Sequence, residues 1–117
     1  MVVTATTSPT PVLFEDWLSP GTHINAVGAP RPDWRELDDE ALRHAKVYVD
    51  SRAAAQKESG DVIAAGEIVA EIGEVAAGTR PGRRSEEEVT LFKSLGLAVE
   101  DVATAELVYR KALLGGA

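Results

Sequence analysis

Short β-type segments alternate with helical segments along this chain, and this alternation is the feature that most restricts its fold. The β-branched and apolar residues of segments 2–7, 23–27 and 46–50 predict three strands. Segments 36–45 and 52–57 predict helices, the first because its acidic residues suit the positive end of a helix dipole. Strands and helices that alternate in this way form doubly wound parallel sheets, so we predict an α/β fold.

The second half of the chain gives less regular signals. In order, they predict a break at Gly60 and Asp61, a helix over 63–77, a loop over 78–85, a β-type segment over 89–92 and a helix over 97–114. The last helix is predicted to end at Gly115 and Gly116. Its apolar residues alternate at spacings of four and three and form one stripe, made of Ala98, Val102, Ala105, Tyr109 and Ala112.

Composition excludes several classes of partner and site. The 117 residues suffice for one domain, and the net charge is −7. Basic residues are scattered, apart from Arg80, Arg83 and Arg84 in one loop, so we expect no nucleic-acid partner. The absence of cysteine excludes disulfides and thiolate metal sites and fits a reducing compartment. No apolar run approaches the ~20 residues of a membrane span, so we expect no membrane association and a cytoplasmic location.

Two strand ends carry candidate ligand groups. The hydroxyl residues of segment 4–8 end the first predicted strand, and small hydroxyl residues allow close approach of a ligand to the backbone. Asn25 could orient a ligand amide at the end of the second strand, where Gly28 permits close approach. On these residues alone, ordinary strand-to-loop junctions are the favoured interpretation of both segments.

Three further groups of residues have competing interpretations. Glu58 and Asp61 surround Gly60, either as carboxylates facing a polar substrate or as a plain helix boundary. Segment 92–96 could bind a carboxylate or phosphate at the start of the longest helix, and a helix N-cap by Ser94 is an equal alternative. His23 and His44 have no further ligand at suitable spacing, so we predict no metal site.

Long blocks of this sequence resemble the ornithine cyclodeaminase and mu-crystallin family. They are VVTATTS, PGTHINAVGAPRPDWRELDDE, VYVDSRAAAQKESGDV, EIGEVAAG and TLFKSLGLAVEDVATAELVY, and they cover residues 2–109. The resemblance implies the C-terminal half of a Rossmann-type NAD(P)-binding domain over residues 1–78. It assigns residues 79–117 to a loop, a short strand and a C-terminal helix of the substrate and dimerisation domain.

The resemblance also implies a cofactor, NADPH or NADH, and a set of site residues. The implied cofactor contacts are Thr6, Thr7, Asn25, Ala26, Val27, Lys93 and Ser94. The implied substrate contacts are Pro30, Glu58, Lys93, Ser94 and Gly96, and Glu58 is the candidate catalytic residue. The implied ligand is a small cyclic imine or amino acid.

Pro30 helps to choose between activities within the family. Cyclodeaminases of the family carry an aspartate at this place, and it takes part in their chemistry. Proline can neither accept nor donate a proton, so we expect reduction of a cyclic ketimine, the activity of the mu-crystallin branch. The alternatives are ornithine cyclodeaminase or alanine dehydrogenase activity, or a non-catalytic crystallin-like binding module.

Members of this family are much longer than this chain. Their glycine-rich phosphate loop lies upstream, and the present sequence contains no G-x-G-x-x-G pattern. We therefore expect the partner to be a missing N-terminal half or another copy of the chain. The first strand would be left with an open edge, so we expect the isolated chain to self-associate and to be inactive.

Overall fold

A five-stranded, fully parallel sheet forms the centre of the molecule, in the order β1-β2-β5-β3-β4. The computed structural model describes residues 1–115. The strands are β1 (Val2–Thr4), β2 (His23–Ala26), β3 (Lys46–Val49), β4 (Ala70–Glu71) and β5 (Thr90–Lys93). The helices are α1 (Asp39–His44), α2 (Arg52–Glu58), α3 (Gly60–Ala65), α4 (Ile72–Ala76) and α5 (Ala98–Leu113), with a 3-10 turn at Glu15–Trp17. The predicted α/β fold is confirmed.

Strand β5 lies in the middle of the sheet although it comes last in the sequence. It pairs with β2 from His23↔Thr90 to Ala26↔Lys93 and with β3 from Lys46↔Thr90 to Val49↔Lys93. The family resemblance placed this segment in a second domain, whereas here the strand pairs within the central sheet. Because the strands are parallel, the loops after β1, β2, β3 and β5 leave the sheet at one edge.

The main core lies on one face of the sheet. Alternate residues such as Ile24, Val47 and Leu91 point to this face, where they pack with Leu42 of α1 and Val62 of α3. Alternation in the strands places every second side chain on the opposite face. There Val3 is exposed in the edge strand β1.

The segment after α2 differs from the prediction of one helix over 63–77. Gly60 begins α3 instead of breaking a helix, because the Ser59 hydroxyl caps it by accepting a hydrogen bond from the Val62 N–H at 3.3 Å. Gly66, at a φ of +75°, ends α3. The apolar residues that follow enter the short strand β4 and then α4.

Helix α5 has no buried residue, so its apolar stripe is in contact with solvent. Within this stripe Val102 is 66% exposed and Tyr109 is 65% exposed. Gly115 adopts a φ of +69° at the end of the helix, whereas Gly116 lies outside the described residues. None of the helices within residues 1–115 combines the length and the apolar character that crossing a membrane requires.

Candidate functional site

Three neighbouring strands end at the edge where the sequence placed its ligand residues. The Val27 N–H donates to the Thr4 carbonyl at 2.8 Å, and the Ser94 N–H donates to the Ala26 carbonyl at 3.1 Å. The loops after β1, β2 and β5 therefore leave the sheet side by side. Thr6 and Thr7 are exposed in the first loop, and the side chain of Val27 is 49% exposed in the second.

Gly28 allows the first two loops to approach each other closely. A Cβ atom on this residue would overlap with the Thr6 carbonyl oxygen and with Oε1 of Glu36. The next residue, Ala29, is buried and has a φ of +49°, in the left-handed region that an alanine seldom occupies. The surrounding contacts thus hold the backbone here in an unfavourable conformation.

Glu36 binds the loop after β1 through hydrogen bonds. Its Oε1 accepts hydrogen bonds from the Thr6 N–H at 2.6 Å and the Thr6 hydroxyl at 2.7 Å. Glu36 is fully buried, and its Oε2 has no hydrogen-bond partner within residues 1–115. Sequence analysis missed this residue, because a single Glu before Leu37 carries no signal that its partner lies 30 residues earlier.

Lys93 has a different position from the one the resemblance implied. Its side chain is fully buried, and its ammonium donates to the Gly28 carbonyl and to Oδ2 of Asp61 at 3.3 Å. The other oxygen of Asp61 accepts from the N–H groups of Glu36 at 2.9 Å and Leu37 at 3.2 Å. Burial raises the pKa of the Asp61 carboxyl above its ordinary value, while the charge of Lys93 opposes this shift. Lys93 therefore contacts the backbone of the loop after β2 from the interior of the protein and does not face solvent.

Asp50 overturns the interpretation of segment 92–96 as an anion site. Its Oδ2 accepts hydrogen bonds from the N–H groups of Leu95 and Gly96, both at 2.7 Å. The N–H groups that would bind an anion are thus already bound to a carboxylate. Ser94 does not cap α5, which begins only at Ala98 after the N-cap position Leu97. Asp50 itself was missed, although it directly follows a buried strand.

The other predicted site residues differ in their accessibility. Ala26 is fully buried, Asn25 is half-buried, and Pro30, Glu58 and Gly96 are exposed. Glu58 ends α2 near the loop that follows Pro30, since the Gly60 N–H donates to the Arg31 carbonyl at 3.0 Å.

The two histidines take part in hydrogen bonds between side chains. His23 contacts the Thr90 hydroxyl through Nδ1 at 2.8 Å and Oδ1 of Asn25 through Nε2 at 3.3 Å. His44 lies 3.0 Å from the Glu15 carboxylate. Across residues 1–115 no three His, Asp or Glu side chains are grouped so that they could hold a metal ion.

Comparison with known proteins gives consistent matches over nearly the whole chain. Residues 1–116 match the ornithine cyclodeaminase/mu-crystallin family. Ketimine reductase mu-crystallin of Macropus fuliginosus is 59% identical over 110 residues, which make up 93% of this chain and 34% of the relative.

Solved structures of related sequence have the same fold. The Δ1-pyrroline-2-carboxylate reductase of Thermococcus litoralis, determined with NADH and L-proline, is 46% identical with a TM-score of 0.88, over 98% of this chain and 38% of that one. An archaeal alanine dehydrogenase dimer with bound NAD is 44% identical with a TM-score of 0.85, over 99% and 39%. This chain therefore spans little more than a third of the length of these relatives.

Proposed function

This chain belongs to the ornithine cyclodeaminase/mu-crystallin family, and we propose that it supplies the nicotinamide side of the active site in an NAD(P)H-dependent reductase of cyclic imines. The observation that carries this proposal is the meeting of three strand ends at one edge, with the exposed threonines of one loop beside the half-exposed Val27 of the next. Open parallel sheets bind ligands at such edges. The 59% identity to a ketimine reductase supports the reaction class.

The residues at this edge fit a nicotinamide ring. Val27 offers an apolar surface to a planar ring, and Thr7 offers an exposed hydroxyl to its carboxamide. Gly28 keeps the intervening backbone free of side-chain bulk. A bound reduced nicotinamide would supply the hydride, and the part of the protein is to place the ring and exclude water.

We propose that the substrate lies on the face of the nicotinamide ring that points away from Val27. Exposed Pro30, Glu58 and Gly96, together with half-buried Ser94, are the groups available to face it. Glu58 is the candidate for keeping a proton on the imine nitrogen, since it is an exposed carboxylate near the loop that contains Pro30 and the resemblance assigns it to the substrate site. Pro30 itself favours reduction over cyclodeamination, because it cannot exchange a proton.

A complete dinucleotide site requires more than these residues. The sequence has no glycine-rich phosphate loop, and the relatives are longer by almost two thirds of their own length. We propose that a further segment or subunit holds the pyrophosphate, that the assembled enzyme is a homodimer like the archaeal relative, and that it is cytoplasmic.

A fusion protein tests the proposed function. The upstream part of the Macropus fuliginosus relative would be joined to residues 1–117, and three substrates would be tested. NADH and NADPH consumption would be followed with Δ1-pyrroline-2-carboxylate and with pyruvate plus ammonium, and ammonia release would be followed with ornithine and NAD+, because cyclodeamination consumes no net NADH. We expect turnover with the cyclic imine, and residues 1–117 alone should give none.

Each other outcome of this assay has a defined meaning. Preference for pyruvate would favour the alanine dehydrogenase alternative, and preference for ornithine would favour cyclodeamination. A folded fusion that binds imine or cofactor without turnover would favour the non-catalytic module.

A further inference from the structure

Three buried charged residues are linked by hydrogen bonds below the loops that leave the carboxyl ends of β1 and β2. We call these residues, Glu36, Asp61 and Lys93, the buried bridge. Lys93 contacts the Gly28 carbonyl at one end, and Glu36 contacts the N–H and hydroxyl of Thr6 at the other. Asp61 joins the two ends, since one oxygen binds Lys93 and the other accepts the N–H of Glu36. The bridge therefore ties together the two loops that follow β1 and β2.

A contribution to the stability of the fold does not by itself explain why these buried side chains are charged. All three side chains have no exposed surface. Burying charged groups costs free energy even when they are paired, and well-packed apolar residues of similar volume often stabilise a fold as well or better. The presence of charged side chains at these positions therefore has a reason other than stability, and their contacts indicate it.

The contacts of the bridge coincide with the ligand-facing loops. Beyond Thr4 and Ala26 the strand pairing ends, and two longer backbone hydrogen bonds continue between the loops, from the Gly28 N–H to the Thr4 carbonyl at 3.3 Å and from the Ala29 N–H to the Thr6 carbonyl at 3.4 Å. The bridge adds side-chain contacts on both sides of Val27, to Thr6 in the neighbouring loop and to Gly28 in its own. It also supports the backbone next to Ala29, whose φ of +49° would relax if these contacts were lost.

We propose that Glu36, Asp61 and Lys93 are positioning residues, which set the separation of the two loops and thereby hold Val27 against the inner face of the nicotinamide ring, so that the opposite face is turned to the substrate. This inference rests on the proposed function for the identity of the ligand. The mechanical coupling between the loops rests on the contacts alone.

The double variant Lys93→Met/Asp61→Asn tests the coupling. Methionine keeps most of the lysine volume, and asparagine keeps the oxygen that accepts the N–H groups of Glu36 and Leu37, so the variant removes the charges of Lys93 and Asp61 together and leaves Glu36 in place. The matched control is Val62→Ala, which opens space in the core one residue from Asp61 and leaves the three side chains of the bridge unchanged. Amide hydrogen exchange of residues 1–117 is measured by NMR in both variants.

The bridge predicts an effect at the far end of the network. At equal global stability, the Thr6 amide should exchange about tenfold faster in the double variant than in Val62→Ala. Equal exchange of the Thr6 amide in the two variants would overturn the proposal. A Glu36→Gln variant, which keeps an oxygen for Thr6, should exchange more slowly at this amide than Glu36→Leu.

A second measurement examines the ligand. In the fusion protein, the double variant should weaken NADH binding about tenfold and leave binding of ADP-ribose, which lacks the nicotinamide, unchanged. Equal weakening of both ligands would contradict positioning of the ring. If the unmodified fusion binds no NADH, the proposed function fails, and the hydrogen-exchange result still decides whether the bridge couples the loops.

Discussion

The charge of Asp61 depends on the groups that surround it in the folded protein. It lies at the start of α3, fully buried, with one oxygen toward Lys93 and the other toward two backbone N–H groups. Burial is the largest influence on its pKa and raises it above the ordinary value of 3.8. The folded state therefore holds the proton of this carboxyl more tightly than the unfolded state does.

This raised pKa predicts a pH-dependent stability. The stabilisation from proton binding to Asp61 is fully present below about pH 3.8 and is lost as the pH rises through the raised pKa. The free energy of unfolding of the wild type, relative to Asp61→Asn, should therefore fall as the pH increases from 3.8 toward neutrality. Urea unfolding of both proteins across this range measures the difference. A constant difference would show that the pKa of Asp61 is the same in both states.

Sequence patterns locate the exposed site residues better than the buried ones. The local pattern identifies the strands that precede Thr6 and Val27, so their positions just beyond the strand ends could be predicted, whereas their role as cofactor contacts stays a prediction from the family resemblance. Glu36, Asp50 and Asp61 bind partners 24–46 positions away along the chain. No local pattern reports such contacts, so the carboxylates that support the loops become visible only in the folded structure.

Gly60 shows how helix α3 depends on close packing. A Cβ atom at this position would overlap with the Trp34 carbonyl oxygen. We expect Gly60→Ala to lower the free energy of unfolding by about 3 kcal/mol, because the backbone of the loop before α1 must shift. Gly73, inside α4 with no atom near its would-be Cβ, provides the control.

The control should change stability in the opposite direction. Gly73→Ala should raise the free energy of unfolding by about 0.5–1 kcal/mol, because alanine loses less backbone entropy in a helix. Urea denaturation of the two variants gives both values. A Gly60→Ala protein as stable as the wild type would mean that the loop yields freely and does not fix the start of α3.

Helix α5 is predicted to promote association rather than stability. Isolated helices of about this length are marginal in water, and none of its residues is buried. Val102→Glu/Tyr109→Glu should shift self-associated chains toward monomers in sedimentation velocity and change the free energy of unfolding by less than about 0.5 kcal/mol. Val3→Glu, on the open edge strand β1, provides a comparison for association through the sheet. Unchanged association of the α5 variant would exclude this helix from the contact.

The elements themselves were predictable to different degrees. The pattern located β2 and β3 to within one residue, since each is a short apolar run bounded by turn residues, whereas β1 ends at Thr4, three residues before its predicted end. It failed between α3 and α4, where apolar spacing suggested one helix. There the positive φ of Gly66 interrupts the helix, and the strand partner of β4 comes from β3, more than 20 residues earlier.

Exposed apolar surface at the scale of the whole molecule supports the proposal that this chain forms one part of a larger active site. A parallel sheet is normally covered on both faces, yet Val3 on one face and all of α5 remain exposed. The edge at the strand ends provides an apolar surface and hydroxyl groups but no phosphate-binding loop. These features together support a chain that contributes the nicotinamide side and depends on other residues for the rest of the dinucleotide.

Ligand affinities of the fusion protein measure this division of the site most directly. Binding of NADH and of ADP-ribose is compared between the unmodified fusion and Val27→Asp, which puts a charge on the surface proposed to contact the ring. NADH affinity should fall about tenfold or more, while ADP-ribose affinity stays unchanged. Equal losses for both ligands, or an unchanged NADH affinity, would contradict the assignment of this edge to the nicotinamide.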